Sequence, residues 1–369
     1  MPTYTRTADG TEARPAGASA FARIAFGVYV LLVCYGSLYP LEGWRDHGLS
    51  PFAYLTSPWP PRYVTGFDLT ANVLGYVPYG FLCVLALYPR LRGWAAFGAA
   101  LASAALLSLV LEAAQSYLPA RVATNLDLLC NLAGGACGAA LGVLAVPTFL
   151  GGPLERLRAQ AFLGGAVIDA GLALLALWLF TQLNPATLLF AAGDLRDLLA
   201  PGVGRARAPE FFIAIEAFTA AANLVSVGLL LSALARPGQP VRLMFATLVS
   251  AALAVKVAAF AIIMHAENVF VWLTPGAQIG LAGGVLVALA AMALPRVARL
   301  AFAAVLIMAA TVLVNLAPPN AYLAATLKLW QHGHFLNFNG LTRVVSALWA
   351  YVALGYLMFL AARRRESIQ

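Results

Sequence analysis

Residues 94–117 read WAAFGAALASAALLSLVLEAAQSY, which is 24 residues with one charged side chain, Glu112. A bilayer span needs about 20 mainly apolar residues, so this stretch predicts a transmembrane helix. A charge inside the hydrocarbon costs at least about 2.5–3.5 kcal/mol on insertion scales. Glu112 therefore occupies a position that requires a specific explanation.

The same apolar pattern recurs along the whole chain. Of its 369 residues, 62% are hydrophobic and 10% are charged, whereas soluble domains carry about 25% charged residues. This composition excludes an ordinary soluble protein and predicts an all-α, polytopic transmembrane bundle of about ten helices. The predicted spans are 22–39, 67–88, 94–117, 128–148, 161–182, 210–234, 243–264, 275–294, 298–316 and 341–361.

The distribution of positive charge predicts the orientation. If the N-terminus is cytoplasmic, 14 of the 23 Lys and Arg residues fall in inside segments and eight in outside segments, while Lys256 lies within a span. Because short cytoplasmic loops carry the excess of Lys and Arg, both termini are expected in the cytoplasm. The net charge of +8 is then explained by loop arginines at an inner membrane, and no nucleic-acid partner is expected.

A weak internal repeat suggests how the helices are organised. Three pairs of similar positions are separated by 145, 149 and 151 residues: Leu38-Tyr39-Pro40 with Leu183-Asn184-Pro185, Gly134-Gly135 with Gly283-Gly284, and Asn72 with Asn223. A 4+4 parallel repeat with a trailing helix pair would produce them, and transporters contain such repeats; chance matches between apolar segments would too. The corresponding segments are a tail at 1–21, four-helix units at 22–148 and 149–294, a helix pair at 295–361 and a basic tail at 362–369.

Polar side chains collect at three helix ends on the predicted outer side. Acid-plus-amide pairs with a spacing of three or four residues share a helical face, and Arg121 is a basic residue available to them. One interpretation is a substrate-binding pocket, and the other is helix capping and packing. The residues concerned are Asp68, Asn72, Glu112, Gln115, Arg121, Asp127 and Asn131.

The same residues resemble the motifs of the VanZ-like family. The resemblance covers roughly residues 24–145 and does not extend to the second half of the chain. It implies a bacterial cell-envelope role without a defined reaction, since the family is named after a member linked to resistance to the glycopeptide teicoplanin. The matching motifs are Ser37-Leu38-Tyr39-Pro40, Asp68-x3-Asn72, Pro78-x-Gly80, Glu112-x2-Gln115, Pro119-x-Arg121 and Asp127-x3-Asn131-x2-Gly134-x3-Gly138.

Two further patterns concern helix packing. Glu216 and Lys256 lie at similar depths in their spans, which predicts a buried ion pair because an unpaired charge there is costly. Gly134, Gly138 and Gly142 form a small-xxx-small strip that allows close helix approach. The strip fits either a contact within one chain or a homo-oligomer interface.

These observations favour a membrane protein that binds or moves an amphiphilic envelope molecule, such as a lipid-linked intermediate or a lipoglycopeptide. A scaffold for envelope enzymes is an alternative. A membrane enzyme with Glu112 and Asp127 as acid and base, and with Arg121 orienting a phosphate, is another. We find no nucleotide-binding loop, nucleophile elbow or zinc-type Cys/His spacing, so no catalytic residue, metal or cofactor is assigned and a non-enzymatic role is favoured.

Overall fold

The computed structural model describes residues 19–48, 50–59, 61, 66–185, 187–196, 208–263, 269–318 and 336–362. Nearly all of the two predicted tails, 1–21 and 362–369, lies outside these residues. The described part contains eleven α-helices. They are α1 (Ala20–Leu38), α2 (Gly66–Leu87), α3 (Gly93–Gln115), α4 (Asn125–Phe149), α5 (Pro153–Ala161), α6 (Ala166–Thr181), α7 (Pro209–Leu234), α8 (Val241–Ala258), α9 (Pro275–Ala291), α10 (Arg296–Leu316) and α11 (Leu336–Ala362).

The helices confirm the predicted polytopic bundle. Eight of them are long and apolar enough to cross a membrane, and α6 and α9 are shorter apolar helices of 16 and 17 residues. The fifth span was predicted to begin at residue 161, but α6 begins at Ala166. The helical path is interrupted before it, where Gly165 has a φ of 110°. The short helix α5, which carries Glu155, Arg156 and Arg158, precedes that break.

The chain divides into two compact units. Unit 1 comprises residues 1–34 and 41–161, and unit 2 comprises residues 35–40 and 162–369. The predicted separation of a trailing helix pair from 295 onward stays a prediction.

Unit 1 is organised around the contact between α2 and α4. A Cβ atom built on Gly134 or Gly138 would overlap the carbonyl oxygen of Val73 or Val77, respectively, so only glycine fits there. All three glycines of the strip are buried against α2. The strip therefore makes a contact within one chain, the first of its two predicted uses, and a homo-oligomer made through Gly134, Gly138 and Gly142 stays a prediction.

Unit 2 has α7 at its centre and packs α9 against it in a comparable way. Residues 222–235 are buried without interruption. A Cβ built on Gly280 would lie 2.7 Å from the carbonyl oxygen of Ala217, and one on Gly284 would lie 3.0 Å from the Cα of Ala221. Helices six and eight of the predicted repeat thus pack through glycines, as helices two and four do, and the 4+4 repeat stays a prediction.

The glycine strip of α4 gives a direct test of the packing. We expect Gly138→Ala to lower the free energy of unfolding by about 1–3 kcal/mol, the usual cost of overpacking, because its Cβ would overlap Val77. Gly98→Ala on α3 is the matched control, since a Cβ there meets nothing within 4 Å. Thermal unfolding of both purified variants in detergent would contradict this packing if their melting temperatures were equal.

Candidate functional site

Asp127 links α2 to the start of α4. Its Oδ1 accepts a hydrogen bond from Asn72 Nδ2 at 2.5 Å, and its Oδ2 accepts one from Thr124 Oγ1 at 2.8 Å. The backbone N–H of Asp127 in turn donates to Thr124 Oγ1 at 3.0 Å. Thr124 is thus the N-cap of α4, and its hydroxyl satisfies one of the donors that every helix start leaves unpaired.

Glu112 lies in the last turn of α3 and is buried, with 4% of its surface exposed. Its Oε2 accepts a hydrogen bond from the backbone N–H of Thr124 at 3.1 Å. The acid therefore holds the residue that caps α4, and this contact explains why a carboxyl group is retained at that depth.

Arg121 belongs to the loop between α3 and α4. Burial lowers the pKa of Arg121 from its ordinary value, while the charges of Glu112 and Asp127 act in the opposite direction. Burial also raises the pKa of Tyr54, and the charge of Glu112 adds to that shift. Arg121 and Tyr54 are thus both within electrostatic reach of Glu112.

The structure brings some of the predicted residues together and separates others. Asn72, Glu112 and Asp127 share the network centred on Thr124, and Arg121 is within electrostatic reach of Glu112 and Asp127. Three remain at its edges: Asp68 is exposed and acts on Asp127 through its charge, Gln115 is half-buried at the end of α3, and Asn131 donates to Ser108 Oγ at 2.9 Å.

A cavity of about 400 Å³ opens beside this network. Of the seven predicted residues, only Arg121 lines this cavity, and a single pocket around all seven stays a prediction. The lining consists of residues 45–47, 50, 53, 54 and 57 from one segment and 116–119 and 121–123 from another.

The side chains that line the cavity are mainly basic, and one of the two lining segments also carries exposed aromatic side chains. Arg45 and His47 line it together with Arg121, against one acid, Asp46. Three large aromatic side chains on the same segment are exposed: Trp44, Phe52 and Trp59. Sequence reasoning missed Arg45, His47 and Thr124 as site residues; the capping spacing Thr124-x-x-Asp127 was a usable signal, whereas nothing in the pattern indicated Arg45 or His47.

The predicted ion pair in unit 2 is not formed. Lys256 is fully buried, and its Nζ donates to the carbonyl oxygens of Asn184 at 2.7 Å and Thr187 at 3.0 Å. Glu216 instead hydrogen-bonds the Thr274 side chain. The prediction rested on the similar depth of Glu216 and Lys256 in their spans. The non-helical segment after α6 supplies carbonyl groups that accept the hydrogen bonds of Lys256 instead.

Apolar helices of membrane-spanning length and a buried polar network define an α-helical integral membrane protein. Within it, residues 26–146 match the family model described as VanZ/LLP1, which confirms the resemblance seen in the motifs. The matched residues contain the whole network around Thr124. Comparison with curated proteins gave no match, and neither did comparison with solved structures.

The capping role of Thr124 can be measured. Thr124→Ala removes the N-cap and one partner of Asp127, so we expect a loss of about 1–2 kcal/mol in the free energy of unfolding. Thr56→Ala is the control, because that hydroxyl donates only to Ala53 O in an exposed turn. Equal melting temperatures for the two variants would show that the cap contributes nothing.

Removal of Arg121 tests its electrostatic role. Arg121→Ala removes a positive charge that acts on Glu112 and Asp127. Because Arg121 is only half-buried, we expect a loss of stability below the roughly 3–5 kcal/mol that breaking a fully buried pair costs. Asn125→Ala, which loses only a bond to Ser57 O, should cost less. The double variant Glu112→Gln/Arg121→Ala should fold better than Arg121→Ala alone, as judged by yield and thermal unfolding. If it does not, Arg121 does not compensate the Glu112 charge.

Proposed function

We propose that unit 1 binds an amphiphilic cell-envelope molecule whose anionic headgroup enters the cavity lined by Arg45, His47 and Arg121. The observation that carries the proposal is the combination of two arginines in one cavity with exposed tryptophans beside it. Guanidinium groups bind phosphate oxygens in a bidentate manner, and tryptophan rings favour the membrane–water interface. A lipid-linked phosphate or a lipoglycopeptide has both required parts, which are an anionic headgroup and an apolar portion.

The proposed location follows from the positive-inside topology. With both termini in the cytoplasm of a bacterial inner membrane, the junction of α3 and α4 faces outward. The cavity would then open toward the outer leaflet, where envelope precursors and glycopeptides are accessible. Such a location agrees with the envelope role that the VanZ resemblance implies, including a link to glycopeptide resistance.

Binding is favoured over catalysis by the positions of the two carboxyl groups. Glu112 and Asp127 lie outside the cavity lining, and their oxygens accept bonds from Thr124 and Asn72. Carboxyl groups engaged in helix capping are not placed to exchange protons with a molecule in the cavity. A scaffold role without a ligand is the remaining alternative, and a binding measurement separates it from the proposal.

We expect the full-length protein in detergent to bind farnesyl phosphate and to bind farnesol, which has no phosphate, much more weakly. Arg45→Ala should weaken farnesyl phosphate binding at least about tenfold, since a hydrogen bond to a charged group contributes about 1.5–3 kcal/mol. Intrinsic tryptophan fluorescence provides the titration signal.

Arg90→Ala is the matched control, because Arg90 is exposed in the turn between α2 and α3, away from the cavity lining. Equal affinity for phosphate and alcohol, or equal loss in the two arginine variants, would refute the proposal. If the proposal holds, lipid analysis of material that co-purifies with the wild type, compared with Arg45→Ala, identifies the natural ligand.

A further inference from the structure

Helix α7 carries a polar face inside unit 2. Glu216, Thr219, Asn223 and Ser226 follow one another at three- and four-residue steps, which places them within an arc of about 80° at 3.6 residues per turn. Thr219, Asn223 and Ser226 are fully buried, and Glu216 is 6% exposed. Glu216 lies seven residues beyond the first residue of α7, or about 10 Å along the axis.

Two oxygen atoms on this face have no hydrogen-bond partner among the described residues: Thr219 Oγ1 and Asn223 Oδ1. The amide nitrogen of Asn223 donates to Thr219 O at 2.9 Å, so its oxygen is left as an open acceptor. Ser226 Oγ differs, since it lies 2.7 Å from Ala222 O and 3.0 Å from Ala303 O. Unsatisfied buried oxygens are rare and indicate a bound water molecule or ion.

Glu216 contributes a carboxyl group without a basic partner. No Lys or Arg in the described part of the chain is within salt-bridge distance of it. Its side chain hydrogen-bonds Thr274 at the start of α9, and a Cβ built on Gly276 would lie 2.6 Å from its Oε2. Helix α9 therefore closes over the carboxyl group and has no titratable side chain of its own.

The other helices that pack on α7 place their charges elsewhere. Arg299 of α10 bonds Ser232, near the opposite end of α7, and Lys256 of α8 bonds the carbonyls after α6. The remaining charged groups lie in the first turns of their helices: Asp169 of α6, Arg242 of α8 and Arg296 of α10.

We propose that Glu216, Thr219 and Asn223 form a buried binding site for sodium. The three groups offer one carboxylate and two neutral oxygens, which is a donor set for a hard cation. One positive charge neutralises the single carboxylate, whereas a divalent ion would leave a net charge in an apolar surrounding. A proton on Glu216 would neutralise the acid but could serve only one of the two open oxygens.

The full-length protein in detergent tests the site through thermal unfolding at pH 7 in NaCl, KCl or choline chloride at equal ionic strength. A ligand that binds only the folded state raises the melting temperature in a saturable way. We expect an increase of a few degrees in NaCl over choline chloride, and a smaller one in KCl. Direct binding of ²²Na⁺ in excess choline chloride provides a second readout on the unmodified protein.

Two substitutions and one control assign the effect to these residues. Glu216→Gln removes the charge with little change in shape, and Asn223→Leu removes an open oxygen while keeping the branching and the number of heavy atoms; each should abolish the sodium-dependent shift and ²²Na⁺ binding. Ser232→Ala should keep both, because Ser232 is a buried hydroxyl of the same helix nine residues beyond Asn223, and its bonds are to Leu229 O and Arg299 rather than to the proposed site.

A melting temperature that responds to pH but not to sodium, or ²²Na⁺ binding equal in the wild type and Glu216→Gln, would overturn the proposal. If a substituted protein does not fold, the wild-type binding measurement and the remaining variant still decide. The site lies within unit 2, so its outcome is independent of headgroup binding by unit 1.

Discussion

The contact between α2 and α4 is the constraint on which the geometry of unit 1 depends. Gly134 and Gly138 bring the backbone of α4 against the carbonyl oxygens of Val73 and Val77, and at this separation there is no room for side chains between the two helices. The register of the contact places Asn72, the residue before Val73, beside Asp127. The start of α4 is thereby fixed, and with it the loop from α3.

From that fixed point the polar groups of unit 1 can be followed outward. Thr124 caps α4, Glu112 accepts the backbone N–H of Thr124, and Arg121 carries the positive charge near both acids. Because hydrocarbon provides no hydrogen bonds, groups in such a place either bond one another or remain unsatisfied. The groups around Thr124 bond one another, whereas α7 of unit 2 keeps two open oxygens on one face, Thr219 Oγ1 and Asn223 Oδ1.

Hydropathy located all ten apolar helices because span length and composition are set by the bilayer, which acts on every helix in the same way. The site was harder to derive. Spacing on a helix placed Asn72 and Asp127 among the polar residues of one site, since a residue's helical face is a local property, but the bond between them was not predicted. Spacing could not identify Arg45, which reaches the cavity through an irregular segment, nor the partners of Lys256. Depth in a span gives one coordinate, but rotation about the helix axis and the path of loops determine which groups meet.

The placement of Lys256 has a consequence for how the protein is made. The carbonyl group of Asn184 that this lysine caps lies 72 residues earlier in the chain. At about 5–20 residues per second, the ribosome needs roughly 4–14 s to extend the chain by that length. During this interval the segment after α6 has emerged without its donor, so it must stay hydrated at the membrane surface. The interior of unit 2 can close only after α8 has been inserted.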